Sequence, residues 1–133
     1  MGLIKYFWDT YAVAEFISGN PKFARFSQEP VTITIFNLAE IFWIALREYK
    51  EKEAEEIYES YKQCAVDIND EVLKEAIKFR KKVYKNKKIS YTDAIGYVYA
   101  LKHGMKFLTG DKEFKDLENV EFVKNWKHEI FLI

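Results

Sequence analysis

The sequence predicts an α/β fold: a three-layer sandwich with a mainly parallel central sheet and helices on both faces. Apolar runs that suit short buried strands alternate several times with segments of helical spacing. This order is typical of parallel sheets, because each crossover between parallel strands needs a connection of helical length. With 133 residues, 49% of them apolar and 32% charged, the chain has the size and balance expected of one folded domain spanning residues 1–133.

Two predicted strands, each followed by a helix, occupy the first half of the chain. Asp9-Thr10 ends the first apolar run, and Gly19-Asn20-Pro21 breaks the helix that follows it. The β-branched run after Pro30 is the clearest strand of the chain. The elements expected here are a strand at 3–8, a helix at 11–18, a strand at 31–35, an apolar helix at 37–50 and a charged, solvated helix at 48–62.

The second half continues the alternation and contains the stretch SYTDAIGYVYALKHGMKFLTGDKEF, residues 90–114. Ser90 suits the cap of a helix, Gly104 its C-terminal stop, and a short apolar strand then leads to an acidic turn at Asp111. The elements expected are a strand at 64–68, a helix at 70–84 capped by Asn69, a helix at 90–103, a strand at 106–109, a short helix at 111–117 and a strand at 120–123, with residues 131–133 as an edge strand or a packing tail.

Charge and cysteine content limit the class of protein. The 21 basic residues balance 21 acidic ones, so the net charge is zero and only local patches can attract a polyanion. Cys64 is the only cysteine, which leaves no disulfide framework and no thiolate zinc site. The apolar start from Met1 to Trp8 is too short for a signal-peptide core or a membrane span. We therefore expect a cytoplasmic protein without a membrane segment.

Four carboxylates stand out in this framework: Asp9, Glu40, Asp93 and Asp111. Asp9 and Asp111 directly follow predicted strands, and open α/β sheets bind ligands at the carboxyl ends of their strands. Capping is an alternative explanation for three of the four, because Asp9 and Asp111 suit N-cap positions. Asp93 stands three residues after Ser90, as in a capping box. Glu40 lies too deep in its apolar helix to be a cap, so it must be paired, exposed or bound to a cation.

Taken together, the four carboxylates form an oxygen-only cluster at one edge of the predicted sheet. Their mutual repulsion would raise their pKa values unless a cation neutralised them. Oxygen ligands without a suitable histidine or cysteine favour Mg²⁺ or Mn²⁺ over zinc. One or two such ions would activate a water molecule and stabilise phosphoryl oxygens.

The motifs around these acids resemble those of PIN domains, and in particular the VapC-type ribonuclease toxins of toxin–antitoxin pairs. The resemblance covers essentially the full chain, and the order and spacing of the four acids match. Its most specific part is the last motif, an apolar strand followed by T-x-D-x-x-F. The motifs are Asp9-Thr10 after the first strand, N-L-A-E ending at Glu40, T-D-A-I containing Asp93, and L-T-G-D-K-E-F containing Asp111.

The resemblance implies a fold, a reaction and a set of site residues. Asp9, Glu40, Asp93 and Asp111 would hold the divalent metal, with Asp9 and Asp93 as direct ligands. Thr109 would help to orient the site through a hydroxyl near Asp111. The reaction implied is hydrolysis of an RNA phosphodiester bond, and the partner implied is a cognate antitoxin.

A basic run, KFRKKVYKNKK at residues 78–88, leads directly into this stretch. It would hold RNA backbone phosphates beside the acidic site. A solvated helix end explains it equally well, because basic side chains favour the C-terminal end of the helix dipole. The residues concerned are Arg80, Lys81, Lys82, Lys85, Lys87 and Lys88. Aromatic residues concentrate in the first third of the chain; most are expected in the core, and exposed ones would suit a homodimer face or an antitoxin groove.

Three alternatives to an antitoxin-controlled ribonuclease stay open from the sequence. The chain could be a PIN domain of RNA processing, or a non-catalytic RNA-binding module. A receiver-type signalling module could use Asp67 and Lys124, but it needs a second acid beside Asp9 to hold Mg²⁺, and residues 6–10 contain none.

Overall fold

Five parallel strands run through the middle of the structure, a computed structural model that describes residues 4–124. The third pairs with the second, and the fourth pairs with both the first and the fifth. A bridge from Phe7 to Thr32, with a 3.0 Å hydrogen bond from the Trp8 N–H to the Thr32 carbonyl, joins the two groups. The strands are β1 (Tyr6–Trp8), β2 (Ile33–Thr34), β3 (Ala65–Val66), β4 (Lys106–Thr109) and β5 (Val120–Phe122), in the spatial order β3-β2-β1-β4-β5.

Helices connect these strands, and most begin at a side chain that accepts a backbone N–H. The capping roles predicted for Asp9, Asn69, Ser90 and Asp111 are confirmed. Within residues 4–124, no helix combines the length and apolar character that crossing a lipid bilayer requires. The helices are α1 (Thr10–Ile17), α2 (Pro21–Ala24), α3 (Ile35–Glu48), α4 (Glu51–Lys62), α5 (Asp70–Val83) and α6 (Tyr91–Lys102), with a 3₁₀ turn at Lys112–Phe114.

Alternate residues of the central strands point to opposite faces of the sheet and enter separate cores. Phe7 and Phe107 pack with buried residues of α5 and α6 on one face. Trp8 and Leu108 pack with buried residues of α1 and α3 on the other face. The period of two along each strand therefore divides the apolar residues between two helical layers. The predicted three-layer α/β/α architecture with a parallel sheet is confirmed.

Several element boundaries differ from those expected. The strand expected at 31–35 ends at Thr34, because Thr34 caps α3: its N–H donates to Asn37 Oδ1 at 2.9 Å, and the Asn37 N–H donates back to Thr34 Oγ1 at 3.4 Å. The break expected at residues 19–21 is followed by the short helix α2, which has Pro21 at its first position. The helix expected at 111–117 is reduced to the 3₁₀ turn. Residues 131–133, expected as an edge strand or a tail, lie outside the described residues.

Candidate metal and phosphoryl site

The carboxyl ends of β1, β2 and β4 lie side by side, and each carries a polar side chain. β1 leads into Asp9, β2 ends at Thr34 and β4 ends at Thr109. The Asp9 N–H donates to the Leu108 carbonyl at 3.0 Å, which extends the pairing of β1 and β4 to this edge. The topology therefore brings Asp9 and the Thr109–Asp111 turn together, as expected of a parallel sheet.

Asp9 lies at the centre of this edge and is 1% exposed. Its Oδ1 accepts the Ala12 N–H at 2.7 Å and so caps α1, while its Oδ2 accepts the Thr109 hydroxyl. Burial raises the pKa of Asp9 to about 7; the two hydrogen bonds oppose this rise, and the charges of Asp111 and Glu40 add to it. The Asp9 carboxylate thus caps α1 and also belongs to the acidic cluster.

Asp111 is linked to Asp9 through one side chain. The Thr109 hydroxyl that donates to Asp9 also accepts the Asp111 N–H at 3.0 Å. Asp111 Oδ1 then accepts the Glu113 N–H at 2.9 Å and caps the 3₁₀ turn. Burial is the main cause that raises the pKa of Asp111. The Asp111 carboxylate is therefore held beside the end of β4.

Glu40 is held by a chain of hydrogen bonds that crosses from α3 to α1. The Thr10 hydroxyl donates to Glu40 Oε1 at 2.6 Å, and the Asn37 amide donates to Thr10 Oγ1 at 3.1 Å. Asn37 is 1% exposed, and Thr34 fixes its amide oxygen. Because each member orients the next, the partly exposed Glu40 carboxylate is directed toward the end of β1.

Asp93 lies in the first turn of α6, where its N–H donates to Ser90 Oγ at 3.1 Å. Burial is the first cause that raises its pKa well above the ordinary value. The negative charges of Asp9, Asp111 and Glu40 add to that rise, and a hydrogen bond with the Ser90 side chain opposes it. All four predicted carboxylates thus share one electrostatic neighbourhood.

The four carboxylates do not form a closed cage for a metal ion. Among residues 4–124, no three acidic, histidine or cysteine side chains converge tightly enough to make a preformed metal site. Several carboxylate oxygens are occupied by protein donors, as the Ala12, Thr109, Thr10 and Glu113 bonds show. Mg²⁺ usually keeps several waters and takes only one or two carboxylates directly, so an open set of oxygen donors fits such an ion. Zinc sites in proteins are built mainly from histidine nitrogen and cysteine sulfur, which this set of oxygen donors does not supply.

Three further residues, to which no role was assigned from the sequence, support the acids. Thr10 and Asn37 orient Glu40; the available signals are the Asp9-Thr10 pair and the position of Asn37 one turn before Glu40. Gly110 separates Thr109 from Asp111, and a Cβ at this position would collide with the ring of Tyr11. Glycine is therefore required where this turn passes α1.

The predicted basic run divides into exposed and engaged side chains. Lys87 pairs with Asp116 at 2.6 Å and also donates to the Glu113 carbonyl at 2.9 Å, which ties it to the protein. The Arg80 Nε–H donates to the Ile89 carbonyl at 2.7 Å, and its guanidinium lies over aromatic rings. The other predicted lysines are exposed: Lys81, Lys82, Lys85 and Lys88.

The residues needed by a receiver-type site are not brought together. Asp67 follows β3 at the edge of the sheet and is exposed, and β2 separates it from β1 and Asp9. The strand order therefore disfavours that alternative.

A family model described as the PIN domain matches residues 6–120 of the chain. Similar solved structures include a toxin–antitoxin complex from Klebsiella pneumoniae, with a TM-score of 0.71 and 16% identity over 91% of this chain and 99% of that chain. VapBC-1 from nontypeable Haemophilus influenzae has a TM-score of 0.67 and 17% identity over 91% and 98% of the two chains. VapBC2 from Rickettsia felis, solved with a DNA fragment from its own promoter, has a TM-score of 0.69 and 15% identity over 92% of this chain and 99% of that chain. At these identities the likeness concerns the fold. No curated protein sequence matches the chain significantly.

Proposed function

The chain belongs to the PIN domain family, and from that premise we propose that it is a divalent-metal-dependent ribonuclease, the toxin of a toxin–antitoxin pair. Its reaction is hydrolysis of RNA phosphodiester bonds with Mg²⁺ or Mn²⁺, and its location is the cytoplasm. PIN-domain nucleases generally use divalent metal ions, and solved structures of similar fold include VapBC and another toxin–antitoxin complex. A PIN-domain nuclease of RNA processing is the alternative.

The observation that carries the proposal is the convergence of the carboxylates at the carboxyl ends of β1 and β4, where Thr109 links Asp9 to Asp111. Asp93 has its pKa raised by burial and then by the charges of the other three acids. Gathering like charges in a partly desolvated cleft is unfavourable unless a cation compensates them. Asp9 and Asp93 are the direct ligands in this proposal, and Glu40 and Asp111 complete the negative site. A bound divalent ion would activate a water molecule and offset the negative charge that develops on the phosphoryl oxygens.

The other residues of the site hold these carboxylates in place. Thr109 orients Asp9 and restrains the backbone of Asp111, and Thr10 orients Glu40. These hydroxyl donors are neutral, so they orient the carboxylates without adding a positive charge that would compete with a cation. The exposed lysines of the run 78–88 supply positive charge for the RNA backbone, which lowers the repulsion between phosphates and the acidic cleft.

Partner surfaces complete the proposal. The outward face of α3 exposes large apolar side chains close to Glu40 in the same helix: Ile35, Phe36, Trp43 and Leu46. Exposed apolar area of this kind suits a protein interface, either with a cognate antitoxin or with a second copy of the chain in a homodimer. Co-expression with the product of an adjacent small reading frame, followed by light scattering of the purified species, tests both partners. Recovery of the chain as a lone monomer in every case would contradict them.

A cleavage assay tests the enzymatic proposal. Purified protein is incubated with mixed tRNA and rRNA while Mg²⁺ or Mn²⁺ is titrated from zero in a chelator-treated buffer. We expect metal-dependent cleavage by the wild type and its loss in Asp93→Asn and Asp9→Ala. The matched control is Glu55→Gln, which removes one exposed carboxylate from α4 and should leave cleavage unchanged. Full activity of the folded Asp93→Asn variant, with contaminating nuclease excluded, would refute the assignment.

A further inference from the structure

One glutamate, Glu113, contacts both the turn at Asp111 and the loop that leads into α6. Its backbone N–H donates to Asp111 Oδ1 at 2.9 Å. Its side-chain Oε1 accepts the backbone N–H of Lys88 at 3.1 Å, across 25 positions of the chain. Shortly after Lys88 comes Ser90, the N-cap of α6, and Asp93 lies in the first turn of that helix. Glu113 therefore connects the two segments that carry the Asp93 and Asp111 carboxylates.

Other contacts hold the same two segments together. The Lys87 ammonium donates to the Glu113 carbonyl at 2.9 Å. Farther along α6, the Tyr97 hydroxyl donates to the Glu118 carbonyl at 2.9 Å. The chain at residues 112–118 is thus attached both to the loop before α6 and to the helix itself, so the fold already fixes the approximate distance between them.

The loop between α5 and α6 is held from two sides at its C-terminal end. Ile89 is buried, and its carbonyl accepts the Arg80 Nε–H of α5 at 2.7 Å. On the other side, the Lys88 N–H donates to Glu113. Water could satisfy this exposed N–H equally well, so the bond adds little to the free energy of folding. Its main consequence is the position of the loop, and with it the position of the first turn of α6.

We propose that Glu113 is a positioning residue that sets the separation of the Asp93 and Asp111 carboxylates and thereby the affinity of the site for a divalent cation. This inference rests on the proposed metal-dependent function and adds to it a residue that acts through its neighbours. Ser90 caps α6 through the Asp93 N–H at 3.1 Å, so a shift of the loop at Lys88 moves Asp93 with it. Groups that orient metal ligands typically change metal affinity by about 10- to 100-fold when they are removed.

A direct effect of charge is the alternative role for a carboxylate this close to Asp111. Burial is the main cause that raises the pKa of Asp111, and the negative charge of Glu113 adds to that rise. Glu113→Gln separates the two roles, because the amide oxygen can still accept the Lys88 N–H but has no charge. Glu113→Ala removes both the acceptor and the charge. Positioning therefore predicts that the glutamine variant resembles the wild type and the alanine variant does not.

Mn²⁺ binding without turnover tests the proposal. The dissociation constant of Mn²⁺ is measured by electron paramagnetic resonance on the full chain, without RNA. Glu113→Ala should weaken binding about 10- to 100-fold, and Glu113→Gln should restore it. The matched control is Glu53→Ala, because Glu53 Oε1 accepts the Lys50 N–H at 3.0 Å at the exposed start of α4. This control loses the same kind of bond far along the chain from the acids and should leave Mn²⁺ affinity unchanged, with a similar effect on thermal melting.

Amide hydrogen exchange locates the effect within the fold. The N–H groups of Asp93 and Ala94 both bond to Ser90, at 3.1 and 3.0 Å. In metal-free Glu113→Ala these two amides should exchange faster than in the wild type, because the loop that carries Ser90 has lost an attachment. Glu113→Gln should exchange as the wild type does. In Glu53→Ala, the first turn of α6 should be unaffected.

Three results would overturn the proposal: an unchanged Mn²⁺ affinity in Glu113→Ala, an equal loss of affinity in Glu113→Gln, or a loss of affinity without faster exchange in the first turn of α6. The second result would assign Glu113 a role through its charge. The third would show that its effect does not pass through Asp93. The proposed function fails on a different observation, cleavage that does not depend on Asp93, so the two failures are distinguishable.

Discussion

Thr109 connects Asp9 and Asp111 with a single hydroxyl group, which donates to Asp9 Oδ2 and accepts the Asp111 N–H at 3.0 Å. The first bond joins residues that are 100 positions apart in the chain. Thr109 is fully buried, so neither bond has competition from water. The geometry of two of the four carboxylates thus depends on one side-chain oxygen.

Thr109→Val should therefore damage the site more than its near-isosteric shape suggests. The change leaves Asp9 Oδ2 and the Asp111 N–H without this partner, and we expect a loss of about 1–3 kcal/mol in the free energy of unfolding. Activity should fall about 10- to 100-fold, the usual effect of removing a group that orients a metal ligand. Chemical denaturation and cleavage rates provide the two measurements.

The pH dependence of cleavage is a more specific test of Thr109→Val. The Thr109 bond opposes the rise in the pKa of Asp9, so its loss should raise that pKa further and move the acid limb of the activity profile to higher pH. Thr109→Ser keeps the hydroxyl and should restore the wild-type limb. An unshifted limb in Thr109→Val would contradict the role assigned to this hydroxyl.

Metal binding should stabilise the fold more strongly as pH rises. Burial raises the pKa of Asp9 to about 7 and that of Asp93 well above its ordinary value. In the metal-free protein the folded state therefore holds protons that the unfolded state has released, and its stability falls as pH increases from about 4 through about 7. A divalent ion replaces those protons, so the shift in melting temperature caused by Mn²⁺ should be larger at pH 8 than at pH 6.

Asp93→Asn provides the control for that experiment. It removes one charge from the cluster, so the metal-free variant should melt at a higher temperature than the wild type at pH 8 and respond less to Mn²⁺. Glu55→Gln, on the exposed side of α4, should behave as the wild type. A metal-induced shift of the same size at both pH values would argue against coordination by these acids.

Parts of this site follow directly from the sequence, and parts do not. The strands that lead to Asp9 and Asp111 are visible as apolar runs, and a parallel sheet necessarily brings their carboxyl ends to one edge. The contact between Thr10 and Glu40 is different, because it joins residues 30 positions apart on two helices. No local pattern encodes such a contact; it depends on how α1 packs against α3.

The difference between the predicted and the observed end of β2 has a local cause. Residues 31–35 are β-branched throughout the run, which favours a strand, yet Thr34 also has the side chain of an N-cap with Asn37 three residues later. The capping interaction prevailed, so α3 begins at Ile35. Strand propensity alone cannot decide whether these residues extend the strand or begin the helix. The reciprocal Thr34–Asn37 hydrogen bonds satisfy backbone N–H groups that, in a longer strand, would need a neighbouring strand as their partner.

Glu40→Gln should separate the charge of this residue from its place in the hydrogen-bond chain. A glutamine oxygen can still accept the Thr10 hydroxyl, so the link to Asn37 should survive and thermal stability should be unchanged or slightly higher. Cleavage should fall by about tenfold or more, because one negative group near the ion is lost. Glu48→Gln, at the exposed end of the same helix, is the matched control. Equal activity in the two variants would remove Glu40 from the site.

The basic run offers an internal comparison between an exposed and an engaged lysine. Lys82 is exposed, whereas Lys87 is paired with Asp116 at 2.6 Å and bonded to the Glu113 carbonyl. If the run binds phosphates, Lys82→Gln should reduce the slope of log affinity against log salt by about 0.7 for single-stranded RNA, the contribution of one phosphate contact. Lys87→Gln should change the slope little, because that charge is already neutralised within the protein, and its main effect should be on stability. Anisotropy titrations at several salt concentrations measure both slopes. Identical slopes in the wild type and Lys82→Gln would indicate that this lysine is a solvated part of the helix end, where its charge favours the dipole of α5 and contacts no phosphate.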